Sequence, residues 1–129
     1  MAVITTVRGE SEIRKKAVPS GVHVIPAGER EILSIREILD ALLRFVPGGN
    51  IFLVEGGPRL IGQFFDRGEL DELFLTLSPL LAGRDSHAER PGLISGTVFL
   101  PGRLVDGRLN GLRKGGSHLF LRYAFTPQI

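Results

Sequence analysis

The sequence predicts an α/β domain in which a mostly parallel sheet is flanked by helices and ends in an antiparallel C-terminal hairpin. Three observations lead to this prediction. Strand-like and helix-like segments alternate through the first part of the chain, and Ile51–Val54 is a continuous apolar run, typical of a strand buried on both faces. Two strand-like segments at the end of the chain flank the glycine pair Gly115-Gly116. Because the chain has 129 residues, we expect one domain over residues 1–129.

The first elements along the chain are two predicted strands. Ala2–Thr6 is rich in β-branched residues, and Val22–Ile25 alternates in polarity before Pro26 and Gly28, which we expect to stop the strand. A polar stretch from Arg8 to Ser20 separates them, and its basic cluster at Arg14–Lys16 is read as a solvated loop.

A helix is predicted to begin after Ser34. Ser34 and Glu37 have the spacing of a capping box, in which each side chain satisfies an unpaired amide of the first turn. Pro47-Gly48-Gly49 is expected to end this helix. The apolar residues that share one helical face are Ile35, Ile38, Leu39, Leu42 and Val46.

The second half of the chain begins with the predicted buried strand Ile51–Val54. A glycine-rich turn follows, and then a helix from about Arg59 to Arg67 that Gly68 ends. The later segments are predicted to be a strand at Leu73–Leu77, a loop at Arg84–Gly96, and strands at Arg103–Arg113 and Ser117–Phe125.

Composition excludes several classes of function. A net charge of +2 is too small to indicate a nucleic-acid or membrane partner, and the absence of cysteine excludes disulfides and thiol chemistry. No apolar run is long enough to span a bilayer, so we expect a cytoplasmic protein. The histidines His23, His87 and His118 lack metal-ligand spacing, and Asp85-Ser86-His87 cannot form a triad as adjacent residues. We therefore expect no metal.

The segment that carries chemistry is the glycine-rich turn after the predicted buried strand. Gly56 and Gly57 have no Cβ, Pro58 suits the first helical position, and Arg59 can add a charge-assisted bond to a phosphate. A helix N-terminus adds unpaired amides and a partial positive charge. The alternative is a tight connection without a ligand. Neither a dinucleotide fingerprint nor a complete P-loop is present.

Glu55 stands at the predicted carboxyl end of that strand, where ligands of open α/β sheets bind. Its carboxylate can accept hydrogen bonds from amino or hydroxyl groups of a substrate. The alternative is a solvated acid that caps local amides.

Three consecutive pieces of the chain together resemble the C-terminal reductase domain of bacterial riboflavin biosynthesis, in the bifunctional deaminase-reductase family. The pieces are Val54-Glu55-Gly56-Gly57-Pro58-Arg59-Leu60, Gly68-Glu69-Leu70-Asp71-Glu72-Leu73 and Thr76-Leu77-Ser78-Pro79-Leu80-Leu81-Ala82-Gly83. The resemblance implies a dihydrofolate-reductase-like fold and NADPH-dependent reduction of a ribosylamino-pyrimidine phosphate, 5-amino-6-(5-phosphoribosylamino)uracil.

The resemblance also implies site residues. Gly57, Pro58, Arg59 and Leu60 hold the cofactor phosphates and Gly56 shapes the turn, whereas Glu55 contacts the substrate. Thr5 and Thr6 are expected near the adenosine side of NADPH. No catalytic side chain is assigned, and a homodimer is expected from the family.

The chain departs from the family at its start. The Ser-Leu-Asp-Gly-like strand and the Asp-x-Pro segment that open family domains have no match here. We therefore expect a partial domain with low or no reductase activity on its own, unless another chain completes the fold. Two alternatives are a catalytically inactive nucleotide-binding or interaction module, and a dihydrofolate or pteridine reductase of the same fold.

Overall fold

The computed structural model describes residues 1–81, 83 and 92–125. The chain divides into two compact units, Met1–Leu53 and Val54–Ile129. Asp85, Ser86 and His87, together with Ala82 and most of the predicted loop at Arg84–Gly96, lie outside the described residues. Within the described residues, no helix is both long enough and apolar enough to cross a membrane.

The first unit contains β1 (Ala2–Thr6), α1 (Val7–Arg14), β2 (His23–Gly28) and α2 (Ile35–Phe45). β1 and β2 pair in parallel, which confirms the parallel arrangement predicted for this half. The prediction that Pro26 stops β2 is wrong. Pro26 pairs with Thr5 inside the strand, and a proline is tolerated there because β2 has a neighbour on one side alone in the described sheet.

Helix α1 was not predicted, because the stretch after Thr6 is polar and none of its residues is buried. Local interactions explain the helix. The Thr6 hydroxyl accepts a hydrogen bond from the Gly9 amide at 3.0 Å and caps the first turn. Arg14 contacts Glu10 at 2.8 Å one turn away. Arg14 therefore ends a helix rather than lying in a loop, although the basic cluster is exposed as expected.

Helix α2 begins with the predicted capping box. The Glu37 amide donates to the Ser34 hydroxyl at 3.3 Å, and the Ser34 amide donates to the Glu37 carboxylate at 2.8 Å. The Ser34 hydroxyl also donates to the Glu37 carboxylate at 2.6 Å. This bond and the one from the Ser34 amide, with a smaller contribution from Arg30, hold the pKa of Glu37 below its usual value. Ile35 is buried as predicted, whereas Val46 caps the helix and is 46% exposed.

The second unit contains α3 (Pro58–Arg67), β3 (Glu72–Leu77), β4 (Gly107–Gly115) and β5 (His118–Phe125). The strands form an antiparallel sheet in the order β3-β5-β4. The predicted C-terminal hairpin is confirmed, but its two-residue turn is Gly116-Ser117 and not Gly115-Gly116, because Gly115 still pairs with His118. Gly116 has φ +58°, a conformation that glycine adopts without steric cost and that suits a tight hairpin.

The sheet is less parallel than predicted, and two strand predictions need correction. Ile51–Val54 forms no strand, and Ile51 and Leu53 are 87% and 78% exposed. An apolar run becomes a strand only when a neighbour pairs with its backbone, and no such partner is found among the described residues. The predicted strand from Arg103 begins instead at Gly107.

The core of the second unit lies between α3 and the sheet. Phe64 and Phe65 are buried, and the Phe65 ring stands edge-on to Phe125 with the centroids 4.9 Å apart. Gly68 ends α3 as predicted, with φ +66°. This ring contact joins the C-terminal half of α3 to β5.

Candidate functional site

The first turn of α3 presents unpaired backbone donors. Gly57 is the N-cap, with φ −71° and ψ 170°, and has no side chain to cap the helix; Pro58 follows at the first helical position. The amides of Leu60 and Ile61 both donate to the Gly57 carbonyl, at 3.0 and 3.2 Å. In the described part of the chain, the amides of Gly57 and Arg59 have no acceptor. Donors at the positive end of a helix dipole form an anion site.

The two glycines of the turn differ in their surroundings. A Cβ added at Gly57 would meet no described atom within 4 Å, so this face of the turn is open to a ligand. A Cβ added at Gly56 would lie 2.5 Å from Leu60 Cδ2 and 3.2 Å from Leu60 Cβ. Gly57 therefore provides access to the backbone, whereas Gly56 lets Leu60 fold over the turn.

Arg59 and Glu55 supply the charged groups beside the turn. Both side chains are exposed, and neither has an ion-pair partner in the described ranges. The sequence predicted that Glu55 ends a strand, and this is wrong. Glu55 lies in the irregular segment that leads into α3. Within the described part of the chain, a cation and an anion without ion-pair partners thus lie beside this turn.

Sequence reasoning missed a segment that packs against α3. We call Ile94–Thr97 the strap. The Ser95 amide donates to the Pro58 carbonyl at 3.2 Å, which connects the strap to the first turn. The signals in the sequence were Gly62 in the middle of a helix and Gly96 in the predicted loop, since an isolated glycine in a helix often has a packing reason.

Thr5 and Thr6 lie in the first unit, at the end of β1. The Thr6 hydroxyl accepts from the Gly9 amide, so it has a local role as the cap of α1. The assignment of both threonines to the adenosine side of a cofactor stays a prediction.

Glu72 and Asp71, which the sequence placed at the start of β3, have local structural roles. Glu72 forms a salt bridge with Arg122 across the β3–β5 pair, and this bond holds the pKa of Glu72 below its usual value and raises that of Arg122. The Asp71 carbonyl accepts from the Phe125 amide at 2.9 Å.

An open apolar cleft of about 430 Å³ lies elsewhere in the second unit. Its lining includes Phe65, Leu73, Phe99, Tyr123 and Phe125, and none of the residues of the glycine turn. The described residues also contain no group of three acidic or histidine side chains arranged to hold a metal ion. The candidate site is therefore the turn itself, and its donors suit phosphate.

The sequence of the whole first unit and most of the second, residues 1–119, matches the family model described as the RibD C-terminal domain. The chain belongs to this family. This match confirms the family resemblance that was predicted from Glu55-Gly56-Gly57-Pro58 and the pieces that follow it. A search of curated proteins finds no match to the chain.

Membership of the RibD C-terminal domain family establishes the general function and the fold class. The family comprises reductases of riboflavin biosynthesis with a dihydrofolate-reductase-like fold. The matched residues include the open glycine turn, Arg59 and the strap. In this RibD C-terminal domain, the turn therefore lies within the region that the family shares.

Proposed function

We propose that this chain is an NADPH-dependent reductase whose substrate is 5-amino-6-(5-phosphoribosylamino)uracil. The observation that carries the proposal is the open Gly57 face, where two amides and the nearby Arg59 guanidinium have no partner among the described residues. NADPH carries a pyrophosphate that needs several donors and positive charge at one place. The residues present fit this group.

Phosphate binding at the turn combines three contributions. The amides of Gly57 and Arg59 donate to phosphate oxygens, the α3 dipole supplies roughly half a positive charge, and the Arg59 side chain adds a full charge. A hydrogen bond to a charged group contributes about 1.5–3 kcal/mol. When bound, NADPH supplies the hydride for the reduction, and this chain's residues hold and orient it.

Glu55 is proposed to contact the substrate. The substrate carries amino donors on its pyrimidine and hydroxyl donors on its ribose, and an exposed carboxylate without a protein partner in the described residues can accept from them. Because Glu55 directly precedes the glycine turn, the same short segment recognises substrate and cofactor. Its proposed contribution is orientation of the pyrimidine relative to the cofactor.

The proposal is tested by titrating NADPH against the pure 129-residue chain and following the fluorescence of the reduced nicotinamide. We expect saturable binding, and Arg59→Ala weakens it about tenfold because one charge-assisted bond is lost. Arg67→Ala is the matched control, since Arg67 is an exposed arginine in the last turn of the same helix.

Two outcomes contradict the proposed cofactor site. Absence of saturable NADPH binding by the wild-type chain is one, and equal effects of Arg59→Ala and Arg67→Ala are the other. A turnover assay with the pyrimidine phosphate then separates the alternatives. Saturable binding without oxidation of NADPH favours the inactive nucleotide-binding module over the reductase.

A further inference from the structure

The strap, Ile94–Thr97, lies against the same turn of α3 that presents the unpaired amides. Its Ser95 amide donates to the carbonyl of Pro58, the first residue of α3, at 3.2 Å. A hydrogen bond from outside the helix restrains this carbonyl, and with it the peptide unit that joins Pro58 to Arg59. The Arg59 amide belongs to that unit.

Gly62 makes the close approach of the strap possible. It is buried, and a Cβ added to it would lie 3.1 Å from the Ser95 carbonyl oxygen, 3.2 Å from Ile94 Cγ2 and 3.3 Å from Thr97 Oγ1. Each of these distances is shorter than ordinary van der Waals contact. Glycine is an unfavourable residue inside a helix, so its presence here is explained by the strap.

The strap turns beside Arg59 at Gly96. Gly96 has φ +79°, the left-handed conformation that favours glycine. A Cβ built on it would lie 3.9 Å from Arg59 Cγ, so Gly96 lies beside the aliphatic part of the arginine. The strap therefore bonds to Pro58, lies close to Gly62 and turns beside Arg59.

We propose that the strap is a positioning element for the cofactor-phosphate site: it holds the first turn of α3 and the stem of Arg59 where the pyrophosphate needs them. The proposal rests on the proposed function. Hydrogen bonds to phosphate weaken steeply with distance and angle, so a small displacement of this turn reduces cofactor affinity while the fold stays intact.

Gly62→Ala tests the proposal, because the added methyl group pushes the strap away from α3 without altering any group that binds phosphate. We expect the Kd and KM for NADPH to rise about tenfold, with kcat at saturating NADPH within about twofold of wild type. The thermal unfolding temperature changes little, since the helix preference of alanine over glycine offsets the cost of displacing the strap. A purely structural role would lower the unfolding temperature and leave the affinity of the folded fraction unchanged.

Three further variants keep the test decisive. Gly102→Ala is the matched control, because its Cβ would meet only the Phe99 carbonyl, at the ordinary distance of 3.9 Å. Gly96→Ala strains the strap from the opposite side, and we expect it to weaken NADPH binding even if Gly62→Ala does not fold. Adding Thr97→Ala to Gly62→Ala removes one of the three close contacts, so it restores part of the lost affinity.

The outcomes separate this proposal from the proposed function. If wild-type protein binds NADPH and both strap variants bind it as tightly, the strap has no positioning role and the cofactor site stands. If wild-type protein does not bind NADPH, the proposed function fails and the strap proposal fails with it. Equal losses in Gly62→Ala and Gly102→Ala also overturn the strap proposal.

Discussion

Replacing Gly57 by serine is expected to change stability and cofactor binding in opposite directions. Gly57 already has the extended conformation of an N-cap, with φ −71° and ψ 170°, and a Cβ there meets no described atom within 4 Å. Serine is a better N-cap than glycine because its hydroxyl accepts from an amide of the first turn. We therefore expect Gly57→Ser to stabilise the folded chain by a few tenths of a kcal/mol.

The same hydroxyl competes with the cofactor. It takes a hydrogen bond from the Arg59 amide, and the new side chain occupies the open face over which a phosphate would approach. Loss of one hydrogen bond to a charged group costs about 1.5–3 kcal/mol. This corresponds to an increase of about 10- to 100-fold in the Kd for NADPH.

Thermal unfolding followed by circular dichroism and NADPH titration measure the two effects on one preparation. Gly92→Ser is the control, because its Cβ would lie 3.8 Å from the Ile94 carbonyl oxygen, an ordinary contact. Unchanged NADPH affinity in Gly57→Ser would refute the assignment of phosphate to this turn. A marked fall in unfolding temperature would refute the reasoning about the cap.

Two further predictions concern stability. Ser34→Ala removes the side-chain half of the capping box of α2 and is expected to cost about 1 kcal/mol in the free energy of unfolding, measured by urea denaturation. The pKa of Glu37, followed by NMR, rises toward its usual value because its largest stabilising bond, from the Ser34 hydroxyl, is lost. A cost indistinguishable from zero would show that the cap is not formed in solution. Glu72→Gln removes the salt bridge to Arg122. Because the folded-state pKa of Glu72 is below the ordinary 4.5, this bridge stabilises above that pH and is lost as the pH falls through the folded pKa. The difference in unfolding temperature between wild type and Glu72→Gln should therefore shrink in acid, and a difference that grows in acid would contradict the assignment.

Elements with a strong local signal could be predicted from the sequence. The Ser34 and Glu37 cap and the glycine that ends α3 at position 68 appear where their patterns placed them. In both cases the interaction that forms the element joins residues within one turn of each other, so a short stretch of sequence contains its whole cause. The glycine turn before α3 belongs to the same class.

Elements that depend on partners elsewhere in the chain were harder to predict from the sequence. The apolar run Ile51–Val54 has the composition of a buried strand, but composition does not supply the neighbouring strand with which it would pair. Helix α1 was missed for a different reason. Its cap at Thr6 and its Glu10–Arg14 pair are local interactions, but the helix has no buried apolar face that would reveal it in the sequence. The spacing of that acid–base pair was the signal that could have identified it.

The three glycines Gly56, Gly57 and Gly62 show why the role of each site residue could not be predicted from the sequence. On sequence alone each has the same property, the absence of a side chain, and the first two were assigned to one phosphate-binding turn. In the structure, Gly56 accommodates Leu60, Gly57 faces open space, and Gly62 accommodates the strap. The same substitution by alanine thus has three different expected consequences: repacking of the turn, obstruction of the ligand, and displacement of the element that holds the turn. Which consequence applies depends on the atoms that face each missing side chain, and for Gly62 those atoms belong to a segment distant in sequence.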